Sequence, residues 1–360
     1  MKPLKIIAAL LGAATLSAAA ILYKRIRTML SIRHIGEMLY KVEYRADYKL
    51  DKLLAKGVKD VAQLTSFVSK ELFFGYPIDV NEQISGCTSF AAKSPEGEPL
   101  AGRNFDYPKT GILLVHTKPK KGYESYSMVC LEHLGISVES DTGPAKDASG
   151  EASAASRKGS PETLLGKAMI LAAPYACVDG FNEKGLHVAV LELSTTPTAQ
   201  DTGKPPIVTT VAVRMLLDKC ATTEEAVTML GQYDMFSSAG SPYHFFITDI
   251  SGNSVVVEWP DPVQEMVVLK QSYVTNFQLA EGKDKGKGGG DARFAIVAEA
   301  LGGADGTLSE EEVMQTLEAA GVKWTGTWGT NWSIVYNLSN FSMKICCHMD
   351  YDTVYEVEAV

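Results

Sequence analysis

One stretch of this chain combines residue types that could break a covalent bond. Gly86-Cys87-Thr88-Ser89-Phe90 is followed by Gly102-Arg103-Asn104-Phe105-Asp106-Tyr107. CTSFAAK, the turn SPEGEP and LAGRNFDY read as a β-hairpin. Pairing of its strands would gather Cys87, Arg103 and Asp106 around one point. A thiol is only partly ionised at neutral pH, so a nucleophilic cysteine needs a base or a cation beside it. No histidine is spaced to serve. A cut between Gly86 and Cys87 would supply the base, because the freed α-amine titrates at roughly pH 7.7–8.0 and lies beside its own thiol. Asp106 would orient that amine, and Arg103 would stabilise the thiolate. Gly86 leaves the scissile carbonyl open to self-attack.

These residues need a rigid frame, and the rest of the chain reads as one. Residues 29–73 show helical spacing, with Met29-Leu30, Ile35, Met38-Leu39, Leu50, Leu53-Leu54 and then Val61, Leu64, Phe67, Val68 and Leu72. From Cys87 onward strands dominate: 112–117, 126–132, 186–193, 244–250, 253–259, 265–270, 332–338 and 343–349. Helices are expected at 208–217 and 292–301, and others open at the capping pairs Thr222/Glu225 and Ser309/Glu312. Many strands with interspersed helices indicate an α+β layered domain. Residues 139–161 and 281–290, rich in small and polar residues, read as mobile loops unable to pack.

Composition narrows the function. The 360 residues carry a net charge of −9, which argues against a nucleic-acid partner, since that requires a basic face. Residues 1–30 hold five positive and no negative charges, leaving −14 on the other 330. Within that leader, Ile6–Tyr23 is an uncharged run of eighteen residues, enough to span a bilayer. It reads as a membrane anchor or signal segment of an extracytoplasmic protein. Six scattered histidines give no zinc spacing, and no glycine loop for a nucleotide follows a strand, so neither metal nor cofactor is expected. Six cysteines are too few for a disulfide scaffold. Adjacent in a strand, Cys346 and Cys347 would face opposite ways, unbonded. His187 and His244 read as structural residues within strands, and Asn182 as a turn residue.

The pattern Cys87-Thr88-Ser89…Gly102-Arg103-Asn104-x-Asp106-Tyr107 resembles the linear amide C–N hydrolases of the choloylglycine hydrolase family, which are cysteine N-terminal nucleophile (Ntn) hydrolases. Asp179-Gly180-Phe181-Asn182-Glu183-Lys184-Gly185-Leu186, Val274-Thr275-Asn276, Asp291-Ala292-Arg293-Phe294 and Trp332-Ser333-Ile334-Val335-Tyr336 extend the resemblance in order. It implies an Ntn-hydrolase αββα four-layer sandwich with Cys87 as nucleophile, Arg103 as an active-site arginine and Asp106 as the amine-binding aspartate. It also implies that Asn276 supplies an oxyanion contact and Arg293 a later active-site arginine. Glu192 falls where bile salt hydrolases have an asparagine and where the acid ceramidase and N-acylethanolamine acid amidase branch has glutamate. A carboxylate in an apolar strand would in any case need a partner.

On this reading the chain divides into an anchor or signal segment (1–28), a helical pro-segment retained as an α chain (29–86) and a catalytic β chain (87–360). The expected substrate is a small amphiphilic N-acyl amide, a fatty-acid amide first, with a membrane surface as a further partner. The alternatives are a bile salt hydrolase, a penicillin V acylase, or a membrane-anchored binding protein on a degenerate Ntn scaffold.

Overall fold

The computed structural model describes residues 18–76, 78, 86–138 and 160–358. Two β-sheets face each other. The larger has nine strands. In spatial order they are β1 (Arg33–Gly36), β2 (Leu39–Tyr44), β5 (Ile112–Thr117), β6 (Ser125–Cys130), β7 (Asp179–Asn182), β8 (His187–Glu192), β11 (Tyr243–Thr248), β12 (Ser254–Glu258) and β13 (Val267–Lys270). The smaller has six. These are β14 (Tyr273–Val274), β3 (Cys87–Lys93), β4 (Pro99–Pro108), β17 (Trp328–Asn337), β18 (Ser342–Cys347) and β19 (Asp350–Val357). The short strands β9 (Pro206–Val208) with β10 (Asp234–Phe236), and β15 (Asn276–Phe277) with β16 (Gly288–Gly289), form two separate ladders.

Six described helices precede the last two. Residues 18–29 form α1, followed by α2 (Leu50–Lys56), α3 (Val61–Leu72) and α4 (Leu164–Met169). Helices α5 (Thr209–Lys219) and α6 (Thr223–Leu230) pack on the larger sheet, and α7 (Asp291–Gly303) and α8 (Glu310–Ala319) on the smaller one. β3 meets β8 and β11 between the sheets. The order is therefore helix, sheet, sheet, helix. A sheet covered on both faces must be apolar throughout rather than alternating, and β8 (HVAVLE) is buried at all but its last residue. Phe90, Val297, Leu301, Val313, Leu317 and Val335 fill the layer between the smaller sheet and its helices. Both capping pairs form: Thr222 accepts from the Glu225 N–H, and Ser309 with Glu312 makes a full capping box.

Two expectations fail here. Residues 33–44 are not helical but form β1 and β2, and helix within the pro-segment begins only at α2. β2 runs parallel to β5, pairing Leu39 with Ile112 through Tyr44 with Thr117, and so enters the larger sheet. Residues 281–290 also pack: Gly288–Gly289 pairs with Asn276–Phe277, and Asp284 is buried. No described helix is long and apolar enough to cross a membrane. Residues 6–17 of the apolar leader, and most of 139–161, lie outside the described residues.

Candidate active site

Cys87 opens β3, and its ladder with β4 sets the geometry. Cys87 faces Phe105 and Ser89 faces Arg103. Directly opposed residues share a face, so the Cys87 and Arg103 side chains both point between the two sheets, one diagonal step apart. Asp106 alternates to the other face. There its backbone N–H donates to the Gly86 carbonyl at 2.8 Å. The two faces meet at the Cys87 backbone, where β3 begins.

Two further side chains converge on that backbone. The Cys87 N–H donates to Asn276 Oδ1 at 2.6 Å. Arg293, in the first turn of α7, donates from Nη1 to the Cys87 carbonyl at 2.6 Å and to Asp106 Oδ2 at 3.0 Å, and from Nη2 to Asn276 Oδ1 at 2.8 Å. Asn276 Nδ2 donates one hydrogen to the Glu192 carbonyl at 2.8 Å. Arg293 reaches back because residue 290 is glycine: φ is +95° there, and a Cβ would sit 2.8 Å from Arg293 Nη2 and 2.9 Å from the Thr275 side chain.

Beneath the thiol lies a fully buried ion pair. Arg103 Nε donates to Asp179 Oδ2 at 3.2 Å and Nη2 to the Val190 carbonyl at 2.8 Å. Asp179 also accepts from Tyr336 Oη at 2.6 Å and Trp332 Nε1 at 3.3 Å. Burial raises the Asp179 carboxyl, against the pull of Arg103 and Tyr336. Burial likewise pushes the Cys87 thiol up to about 12, opposed by the Arg103 and Arg293 charges and a hydrogen bond from Arg103. The Asp106 carboxyl is raised by burial, against Arg293, the Thr330 hydroxyl at 2.6 Å and Arg103. In the uncut chain the thiol is therefore protonated at neutral pH, and its own nitrogen is an amide rather than a base.

Cys87, Asp106, Asn276 and Arg293 thus form one hydrogen-bonded cluster, with Arg103 adjoining it through the thiol. Glu192 joins by its main-chain carbonyl, while its carboxyl is raised by burial and partly relieved by a hydrogen bond with Ser241. Thr330 and Asp179 were missed as site residues. A register shift in β17 between Thr330 and Trp332 aims Thr330 at Asp106. Asp179 stood within a recognised motif, but its partnership with Arg103 spans 76 residues and leaves no local signal. Asn182, expected in a turn, is instead the last residue of β7, its side chain bonded to the Leu217 and Cys220 carbonyls and to the Lys184 and Leu186 amides of the turn that follows. None of the six cysteines is joined in a disulfide. Among the described residues no cluster of three His, Cys, Asp or Glu side chains is placed to hold a metal ion.

The Gly86 position tolerates no side chain. A Cβ there would stand 2.9 Å from both Asp106 Cβ and Oδ2. Gly86→Ala must therefore displace either the Asp106 side chain or residue 86 itself, whose carbonyl Cys87 would attack. Any self-cleavage at this junction is expected to slow by roughly 10- to 100-fold, measured by following intact mass after purification.

The model of the family described as linear amide C-N hydrolases, choloylglycine hydrolase family, matches residues 87–276, from the cysteine through the asparagine. The chain is a hydrolase acting on linear amide C–N bonds. It belongs to the choloylglycine hydrolase family. Among solved structures it is similar to a mutant conjugated bile acid hydrolase from Clostridium perfringens, at 17 % identity and TM-score 0.49, over 76 % of this chain and 92 % of that one. Penicillin V acylase from Agrobacterium tumefaciens matches at 15 % identity and TM-score 0.43, over 76 % and 91 %. A Caenorhabditis elegans N-acylethanolamine-hydrolyzing acid amidase ortholog matches at 16 % and 0.41, over 70 % and 93 %.

Proposed function

We propose that this chain is a precursor that cuts itself between Gly86 and Cys87 and then hydrolyses N-acyl amides with apolar acyl groups, fatty-acid amides first. The supporting observation is where the polar groups converge. Asn276 and Arg293 hold the Cys87 backbone nitrogen and carbonyl, and Asp106 holds Arg293 and the Gly86 carbonyl, so the polar groups gather at the bond whose cut would make that nitrogen a catalytic amino terminus. In maturation the Cys87 thiol attacks the Gly86 carbonyl, the acyl group passes from nitrogen to sulfur, and water releases it. The β chain then begins at Cys87 and has 274 residues.

In turnover the new α-amine takes the thiol proton, with Arg103 beside the thiolate. Sulfur attacks the substrate carbonyl. The second Asn276 Nδ2 hydrogen holds the oxyanion, a contact worth roughly 2.7–4 kcal/mol in other hydrolases. The α-ammonium protonates the departing amine, and water hydrolyses the thioester. Residues 29–86 stay as an α chain, because β2 is a strand of the β chain's sheet. The apolar leader would hold the enzyme at an extracytoplasmic membrane surface, where amphiphilic amides gather.

Two features support the fatty-amide reading: the glutamate at 192, and a segment before the cysteine that bile salt hydrolases lack. A panel of N-acylethanolamines, conjugated bile salts and penicillin V, assayed on cleaved protein, should give the highest kcat/KM for a long-chain N-acylethanolamine. Preference for a bile salt or penicillin V would overturn the substrate assignment. The Glu192 carboxyl carries a pH prediction. Burial favours its neutral form, so a hydrogen bond donated by that acid is present at low pH and lost as pH rises through its raised pKa. Turnover should be greater at mildly acidic than at alkaline pH, and Glu192→Gln should flatten that difference. A wild-type profile rising steadily to pH 9 would count against this role.

A further inference from the structure

His244, on β11, has both ring nitrogens committed. Nδ1 lies 2.8 Å from Glu258 Oε1 and Nε2 lies 2.8 Å from the Thr275 carbonyl. A carbonyl only accepts, so Nε2 carries a hydrogen and donates it to Thr275. Glu258, on β12, also accepts from the Leu279 N–H at 3.0 Å and the Ala280 N–H at 2.7 Å. Both side chains are fully buried. Burial opposes ionisation of Glu258, yet the hydrogen bonds from His244, Leu279 and Ala280 hold its carboxyl below the usual range. His244 and Glu258 thus grip residues 275–280 from the larger sheet.

Asn276 sits inside that grip, one residue from the carbonyl His244 holds. Its ladder is short, pairing only Asn276–Phe277 with Gly288–Gly289. Its amide must nevertheless face two ways, Oδ1 toward the Cys87 nitrogen and Nδ2 toward the Glu192 carbonyl. β11 governs both directions. Tyr243 pairs with Glu192, which fixes the second partner, and the adjacent His244 fixes the chain that carries Asn276.

We infer that His244 is a positioning residue, anchored by Glu258, which aims the Asn276 amide at the reaction centre through the Thr275 carbonyl. This rests on the role proposed above for Asn276. It gives the imidazole no contact with substrate and no part in proton transfer.

A double-mutant cycle separates positioning from a general structural role. His244→Ala and His244→Gln are made with Asn276 present and with Asn276→Ala. One readout needs no substrate: the rate at which the fragment beginning at Cys87 appears. The other is kcat and KM of the cleaved protein on N-palmitoylethanolamine. With Asn276 present, His244→Ala should lower the cleavage rate and kcat by about 10- to 100-fold, with KM changed by less than about twofold. His244→Gln, whose side-chain amide can donate to Thr275, should recover most of that loss, and it serves alone if the alanine variant fails to fold. In the Asn276→Ala background either substitution should cost less than about twofold, because nothing remains to aim. An equal loss in both backgrounds, or wild-type rates for His244→Ala beside a crippled Asn276→Ala, would overturn the inference alone. Wild-type rates for Asn276→Ala would overturn the Asn276 assignment, and this inference with it.

Discussion

Cys87→Ala is expected to leave the chain whole and to abolish hydrolysis. The wild-type protein should yield a 274-residue fragment with Cys87 at its amino terminus, and intact-mass measurement after incubation at acidic and neutral pH checks this. The substitution removes the attacking atom of both reactions, so turnover should fall by about 10⁴- to 10⁶-fold, the scale seen when the nucleophile of a hydrolase is deleted. The rest of the cluster keeps its bonds, because Asn276, Arg293 and Asp106 hold the backbone of residue 87 and its neighbour rather than the thiol. The variant should therefore unfold close to wild-type precursor. The wild-type fragments should co-elute under native conditions and separate only in denaturant. A Cys87→Ala chain that still cuts, or a wild-type enzyme that hydrolyses amides while staying whole, would sink the maturation scheme.

Arg103→Met is expected to be the most destabilising single change at the site. Arg103 and Asp179 are both fully buried and 3.2 Å apart. Removing one member of such a pair leaves an uncompensated charge and costs about 3–5 kcal/mol. Tyr336 and Trp332 still donate to Asp179, but neither supplies charge. Burial already raises the Asp179 carboxyl, and loss of the guanidinium raises it further. A carboxyl whose folded pKa exceeds its unfolded one favours the fold when protonated, and that advantage is lost as pH rises through the folded pKa. The variant should thus lose most at neutral pH and regain stability toward pH 5, read from urea midpoints at the two values. Adding Asp179→Leu should restore much of the stability without restoring activity, since the thiolate still lacks its cation. Activity in the double variant would refute a role for Arg103 beside the sulfur.

How much of this was visible in the sequence depended on distance along the chain. The Cys87–Arg103–Asp106 grouping follows from one hairpin, and strand periodicity was enough to read it. Pairing alone put the three side chains around one point; the structure sharpens this, because alternation turns Asp106 to the face opposite the thiol and the two meet only at the strand's start. The spacing of Ile35, Met38 and Leu39 misled, because a short apolar strand and a helical turn bury similar residues. Only parallel pairing with β5, about seventy residues on, decides between them. Residues 281–290 misled for another reason. Their glycines look unable to pack, yet a Cβ at Gly288 would lie 1.9 Å from the Asn276 carbonyl oxygen. What reads as a lack of side chains is room for close backbone approach.

The parallel strand β2 gives the proposed cut a direction in time. While Gly86 and Cys87 are joined, β2 and β5 are parts of one molecule and find each other by an intramolecular search. After the cut the same partners must meet from solution, at a rate set by protein concentration. Folding of the precursor is then first order and reassembly of the mature pair second order. Such a cut would act as a ratchet: it would make the enzyme active and, in the same event, give up the connection that let it assemble.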